Sequence, residues 1–221
     1  MKIGIMGGTF DPIHNGHLML GEAAYEAFEL DQIWFLPNGN PPHKKNSRIE
    51  ADASDRVTMT RLAVSGVPYF RVETYEARRK EVSCTYRTLE YFHEKYPNDQ
   101  MYFIIGADSL FSIESWVHPE RIFPRCTILA AYRDEVNSRK MMEEKIWDLQ
   151  EKYHADIRLL VTPLMHVASH ELRQLIKKGQ DISPYVPEPV VQYIKEHGLY
   201  RPEIRKERMS VYESADYENT P

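Results

Sequence analysis

Short apolar runs alternate with longer amphipathic stretches along most of this chain, and that alternation constrains its fold more than any other feature. KIGIM (2–6), QIWFLP (32–37), YFRVE (69–73), MYFIIG (101–106), CTILAA (126–131) and DIRLLVT (156–162) each suit a mostly buried strand. Helical patterns fill the intervals at about 16–29, 52–65, 85–96, 109–115 and 137–153, and another follows at 169–178. Strand–helix alternation implies right-handed crossovers, and so a six-stranded, mainly parallel, doubly wound α/β sheet with helices on both faces. Ligands of such sheets bind at the C-terminal ends of the strands. The chemistry is therefore expected where the apolar runs give way to loops.

With 221 residues the chain can bury a full α/β core in one domain, expected over 1–200, with a charged tail at 201–221. A net charge of −5 excludes a global attraction for nucleic acid or an anionic membrane surface, so any phosphate site must be a local cluster. No apolar run reaches the roughly 20 residues that span a bilayer, and Met1 leads straight into a strand pattern rather than a signal peptide. The only cysteines, Cys84 and Cys126, lack zinc-site spacing and are too few for a disulfide framework. The expectation is a cytoplasmic protein with free thiols, compatible with a homo-oligomer.

One stretch concentrates the polar chemistry: GGTFDPIHNGHL, Gly7 to Leu18. Two glycines directly after the first strand would let backbone N–H groups approach a ligand. A helix N-terminus beginning beside them makes an anion site. His14 and His17 lie three apart and so share a face of the first turn, where imidazole donors could meet the charge that develops during phosphoryl or nucleotidyl transfer. Zinc would need a third ligand at metal-site spacing, and none lies nearby, so no resident metal is expected.

GGTFDPIHNGHL resembles the signature of adenylyl- and cytidylyltransferases that carry a His-x-Gly-His motif. Four further segments are similar to the nicotinate-mononucleotide adenylyltransferase family. WFLPNGNPPHKK, Trp34 to Lys45, resembles that family's Trp-x-x-Pro strand end and its Pro-x-His-Lys loop, in which Lys44 would meet a phosphate. EARRKEVSCTYRTLEYF, Glu76 to Phe92, resembles its Ser-Tyr-Thr-x-Asp-Thr-Leu element. Ser83, Thr85, Thr88 and Leu89 are kept, but Cys84 and Arg87 stand where the family has tyrosine and aspartate. FIIGADSLFSIESW, Phe103 to Trp116, matches Gly-x-Asp followed eight residues later by Trp. HVASHELRQLIKKG, His166 to Gly179, resembles Ile-Ser-Ser-Thr-x-Ile-Arg, with Ala168 and His170 in place of a serine and the threonine. YVPEPVVQYIKEHGLY, Tyr185 to Tyr200, is similar to the closing helix and its Leu-Tyr end.

The resemblance implies a Rossmann-like fold and transfer of the adenylyl group of ATP to nicotinate mononucleotide, releasing pyrophosphate and using Mg2+ carried with ATP. It implies ATP contacts from Gly7, Gly8, Thr9, Phe10, His14, His17, Gly106, Asp108, Ser169 and Arg173, and mononucleotide contacts from Lys44, Thr85 and Trp116. His14, His17, Lys44 and Arg173 would carry the catalysis. Two alternatives stay open: a related adenylyltransferase with another phosphate acceptor, such as nicotinamide mononucleotide or phosphopantetheine, and, motivated by the departures at Cys84, Arg87, Ala168 and His170, a non-catalytic nucleotide-binding regulator.

Overall fold

The computed structural model describes residues 1–41, 49–133, 138–162 and 167–201. Lys44 and the tail from residue 202 onward lie outside them. Six strands form one parallel sheet: β1 (Lys2–Gly8), β2 (Gln32–Pro37), β3 (Phe70–Val72), β4 (Gln100–Gly106), β5 (Thr127–Arg133) and β6 (Ile157–Thr162). Their order is β3-β2-β1-β4-β5-β6, so the connections turn in opposite directions on the two sides of the β1–β4 pair. That reversal leaves a crevice at the strand ends, the usual ligand position in an open α/β sheet.

The apolar runs become strands because both faces of the sheet are covered. One core layer gathers Ile5, Phe103, Ile105 and Ile128 with Leu89 and Phe92 of helix α3 (Thr85–Lys95). The other gathers Met6, Phe35, Ile104 and Leu129 with residues of α1 (Asn15–Phe28), α2 (Ala53–Val64), α6 (Ser169–Lys177) and α7 (Glu188–Glu196). Helix α4 (Ala107–Ser112) follows β4 directly, and α5 (Ser138–Tyr153) follows β5.

Two local expectations change. Gly7 and Gly8 belong to β1, in register with Leu36 and Pro37, instead of following the strand. Gly8 is demanded by the fold as well: a Cβ there would come within 2.6 Å of the Phe10 ring. Helix α4 begins two residues before the expected 109, which puts Asp108 inside its first turn with Gly106 as N-cap. Ser169 opens α6 at the expected position, after Ala168 as N-cap. Both cysteines are buried and free, and burial pushes the Cys126 thiol up to about 12. Among the described residues no helix is long and apolar enough to cross a membrane.

Candidate active site

Two clefts open at the C-terminal edge of the sheet, one on each side of the β1–β4 pair. The larger, about 640 Å³, is lined by His14 and His17 of the α1 start, Gly106 and Asp108 after β4, Tyr132 of β5, Thr162 of β6 and Ser169 of α6. The smaller, about 320 Å³, is lined by Gly7, Gly8 and Thr9, by Asn38 after β2, by Ser83, Thr85 and Thr88 around the start of α3, and by Trp116. Ser109 borders both. Most of the expected residues that the structure describes thus gather at one sheet edge but divide between two chambers; Phe10 and Arg173 line neither.

At the start of α1, the His14 and His17 rings lie 3.8 Å apart, centroid to centroid, with Phe10 set edge-on to His17 at 5.0 Å. The backbone N–H of His14 donates to His17 Nδ1 at 3.2 Å. A nitrogen that accepts from an N–H must present its lone pair, so the neutral His17 ring carries its proton on Nε2. His17 is thereby held as a donor through Nε2. The helix amides contribute less than the motif suggests: the Asn15 N–H donates to the Tyr185 carbonyl at 2.8 Å, and that of His17 to the His14 carbonyl at 2.9 Å. The imidazoles, more than an open ring of amides, give this turn its capacity for an anion.

Phe10 sends its ring into the core at 2% exposure, leaving only its backbone for a ligand. Ser169 Oγ donates to the Pro12 carbonyl at 2.9 Å, tying α6 to the opening loop. Arg173 lines neither cleft. Its Nη1 donates to the Asp11 carbonyl at 2.7 Å and its Nε to Glu50 at 3.0 Å, where Lys177 also binds at 2.8 Å. Burial pushes the Glu50 carboxyl up, but hydrogen bonds from Lys177 and Arg173 outweigh it and hold the group below its ordinary value.

Several site residues escaped the sequence reading. Asp11, 2% exposed, accepts from the Glu50 and Ala51 amides at 2.9 and 3.1 Å and from the Tyr200 hydroxyl at 2.8 Å. Burial and that carboxylate push the Tyr200 phenol above its ordinary range. Arg56, 1% exposed, donates to the Thr9 carbonyl at 2.7 Å and to Asn38 Oδ1 at 3.3 Å, bracing the loops after β1 and β2 that wall the smaller cleft. Glu76 reaches the same cleft from the loop after β3. Charged residues inside helical or loop patterns read as solvated, and no local signal marks these as buried.

Among the described residues no group of three His, Cys, Asp or Glu side chains could hold a metal ion. The arrangement combines a flat aromatic wall at Trp116, an exposed carboxylate at Asp108 in the larger cleft, and imidazole donors at the strand edge. Such a set can hold two nucleotide-like molecules end to end with phosphate between them.

The fold and the paired clefts are those of a nucleotidyltransferase, and the cytidylyltransferase-like family model matches residues 5–183. A probable nicotinate-nucleotide adenylyltransferase of Lachnoclostridium phytofermentans is 45% identical over 199 residues, covering 90% of this chain and 98% of its own. One from Clostridium tetani is 40% identical, covering 90% and 99%. The chain belongs to the nicotinate-nucleotide adenylyltransferase family. In fold it is similar to Plasmodium falciparum nicotinic acid mononucleotide adenylyltransferase complexed with NaAD, with a TM-score of 0.72, 21% identity, and coverage of 90% of this chain and 97% of that one.

Proposed function

We propose that this chain transfers the adenylyl group of ATP to the 5′-phosphate of nicotinate mononucleotide, giving nicotinate adenine dinucleotide and pyrophosphate. The observation that carries this is the pair of clefts meeting at the β1–β4 edge, with the histidine pair in one and Trp116 in the other. ATP occupies the larger cleft. Asp108 accepts from its ribose hydroxyls, a task suited to an ionised carboxylate. The mononucleotide occupies the smaller cleft, its pyridine stacked on Trp116 and set beside Thr85, with Gly7, Gly8 and Thr9 along its path to the α-phosphate.

The attacking phosphate is already an anion, so no general base is required and no covalent intermediate intervenes. His17, donating through Nε2, and His14 stabilise the charge that spreads over the α-phosphate as the mononucleotide attacks in line. Ser169, on the wall of the larger cleft, meets the departing pyrophosphate, Arg173 acts from behind it by holding the opening loop through the Asp11 carbonyl, and Lys44 supplies a mobile charge to the phosphates. Magnesium enters as part of the MgATP substrate, bound mainly by the nucleotide's own oxygens. ATP use and two free thiols fit a cytoplasmic enzyme.

Pyrophosphate release should be followed with ATP, magnesium and, separately, nicotinate mononucleotide, nicotinamide mononucleotide and phosphopantetheine. The expected result is pyrophosphate in step with a dinucleotide from the nicotinate substrate. ATP binding without pyrophosphate release under any acceptor, or release with phosphopantetheine only, would overturn the proposal.

A further inference from the structure

We propose that the Glu76 carboxyl sets the preference of the smaller cleft between the acid and the amide forms of a pyridine mononucleotide. This rests on the adenylyl-transfer function above and adds the residue that discriminates between its acceptors. Among the described residues lining the cleft, Glu76 brings the only carboxyl, and Cys84 is the only other titratable group there. Glu76 is 8% exposed, so its charge acts with little screening by water.

The hydrogen bonds around Glu76 suit both of its protonation states. Thr88 Oγ1 lies 2.6 Å from Glu76 Oε1 and 3.4 Å from the Cys84 carbonyl. When Glu76 is ionised, the Thr88 hydroxyl donates to it. When Glu76 is protonated, its own O–H can donate to Thr88 Oγ1, and the Thr88 hydroxyl turns to the Cys84 carbonyl. Ser83, whose Oγ accepts the Gly39 and Asn40 amides at 3.2 and 3.3 Å, also hydrogen-bonds the carboxyl. The carboxyl can therefore gain or lose its proton without leaving a buried polar group orphaned.

The other titratable and charged groups around Glu76 are engaged elsewhere. Tyr75, Arg79, Glu81 and Arg87 line a second, small opening with it. There Arg79 pairs with Glu81 at 3.5 Å and lies over the Tyr75 ring, and Arg87 Nε donates to the Tyr86 hydroxyl at 2.8 Å. Burial accordingly raises the Glu76 pKa, against the opposing hydrogen bonds of Thr88 and Ser83. The group stays neutral to a higher pH than an ordinary glutamate and then becomes an anion inside the cleft. An anion there repels the carboxylate of the acid substrate and leaves the amide untouched.

The test uses the full chain with MgATP and compares kcat/KM for nicotinate and nicotinamide mononucleotides from about pH 4 to about pH 9, which spans the ordinary glutamate range and the range above it. The two substrates share their ribose and phosphate, so titrations that act on those parts cancel in the ratio, and the Glu76→Gln comparison separates Glu76 from Cys84. In the wild type the acid-over-amide ratio should fall by about tenfold as pH rises, the scale of one unit charge acting at cleft distances. In Glu76→Gln the ratio should be flat, at the level of the wild type's low-pH limb. A flat ratio in the wild type, or an equal slope in a folded Glu76→Gln protein, overturns the inference. Should Glu76→Gln fail to fold, Thr88→Val serves instead: losing a donor to the anion should move the midpoint to higher pH, and an unmoved midpoint overturns the inference. No pyrophosphate from either mononucleotide in the wild type would overturn the adenylyl-transfer function itself, and this inference with it.

Discussion

Arg56 and His17 show how differently single residues declare themselves. Two histidines three apart after a glycine pair are an unusual local pattern, and the structure brings both to the cleft. Arg56 sits in an ordinary helical segment, where arginine is commonly solvated, yet it is almost fully buried among backbone carbonyls. Its burial depends on chain segments about fifty residues apart meeting at the sheet edge, which periodicity cannot encode. Arg56→Ala should destabilise the protein by ~3 kcal/mol, because it leaves the Thr9 and Ala51 carbonyls buried with a donor removed. Urea midpoints at fixed pH measure this, and loosening of Thr9 and Asn38 should also raise KM for the mononucleotide. Glu76 and Asp11 were illegible for the same reason: acids beside polar residues look exposed until the topology closes over them.

At the scale of elements, the six strands were readable because a buried parallel strand is a short, nearly continuous apolar run. The ends of elements were less so. The ladder with β2 carries β1 through both glycines, and α4 starts early enough to take in Asp108. Helix α5, charged and without assigned chemistry, has a structural task. Lys145 and Lys152 bind Glu114 at 2.5 and 2.7 Å, holding α5 against the short turn Ile113–Ser115 that immediately precedes Trp116. Those two lysines hold the Glu114 carboxyl down at about 2, against an ordinary 4.5. A carboxyl whose folded pKa is depressed adds stability that is present above its unfolded pKa and is lost as pH falls through the folded one. Glu114→Gln should therefore remove part of the stability at pH 7 and flatten its decline between pH 4.5 and about 2. Thermal melts across that range measure the difference; equal slopes in both proteins would count against the clamp.

For the molecule as a whole, the strand order places the opening loop between two chambers, and later segments lock it there. The Tyr200 hydroxyl reaches Asp11 from the far end of the described chain, Arg173 holds the Asp11 carbonyl, and Ser169 holds that of Pro12. The α/β class followed from the alternation of apolar runs, but the division into two clefts did not, because it depends on the β1–β4 reversal that only the assembled sheet reveals. The central claim is that adenylyl transfer takes place where the histidine pair faces the larger cleft. The most direct test is the turnover of His17→Ala with MgATP and nicotinate mononucleotide, alongside circular dichroism to show that the fold survives. The expected result is a folded protein whose kcat is lower by about two to three orders of magnitude, the scale for losing one donor to transition-state charge. Near-wild-type turnover in a folded His17→Ala protein would contradict the account.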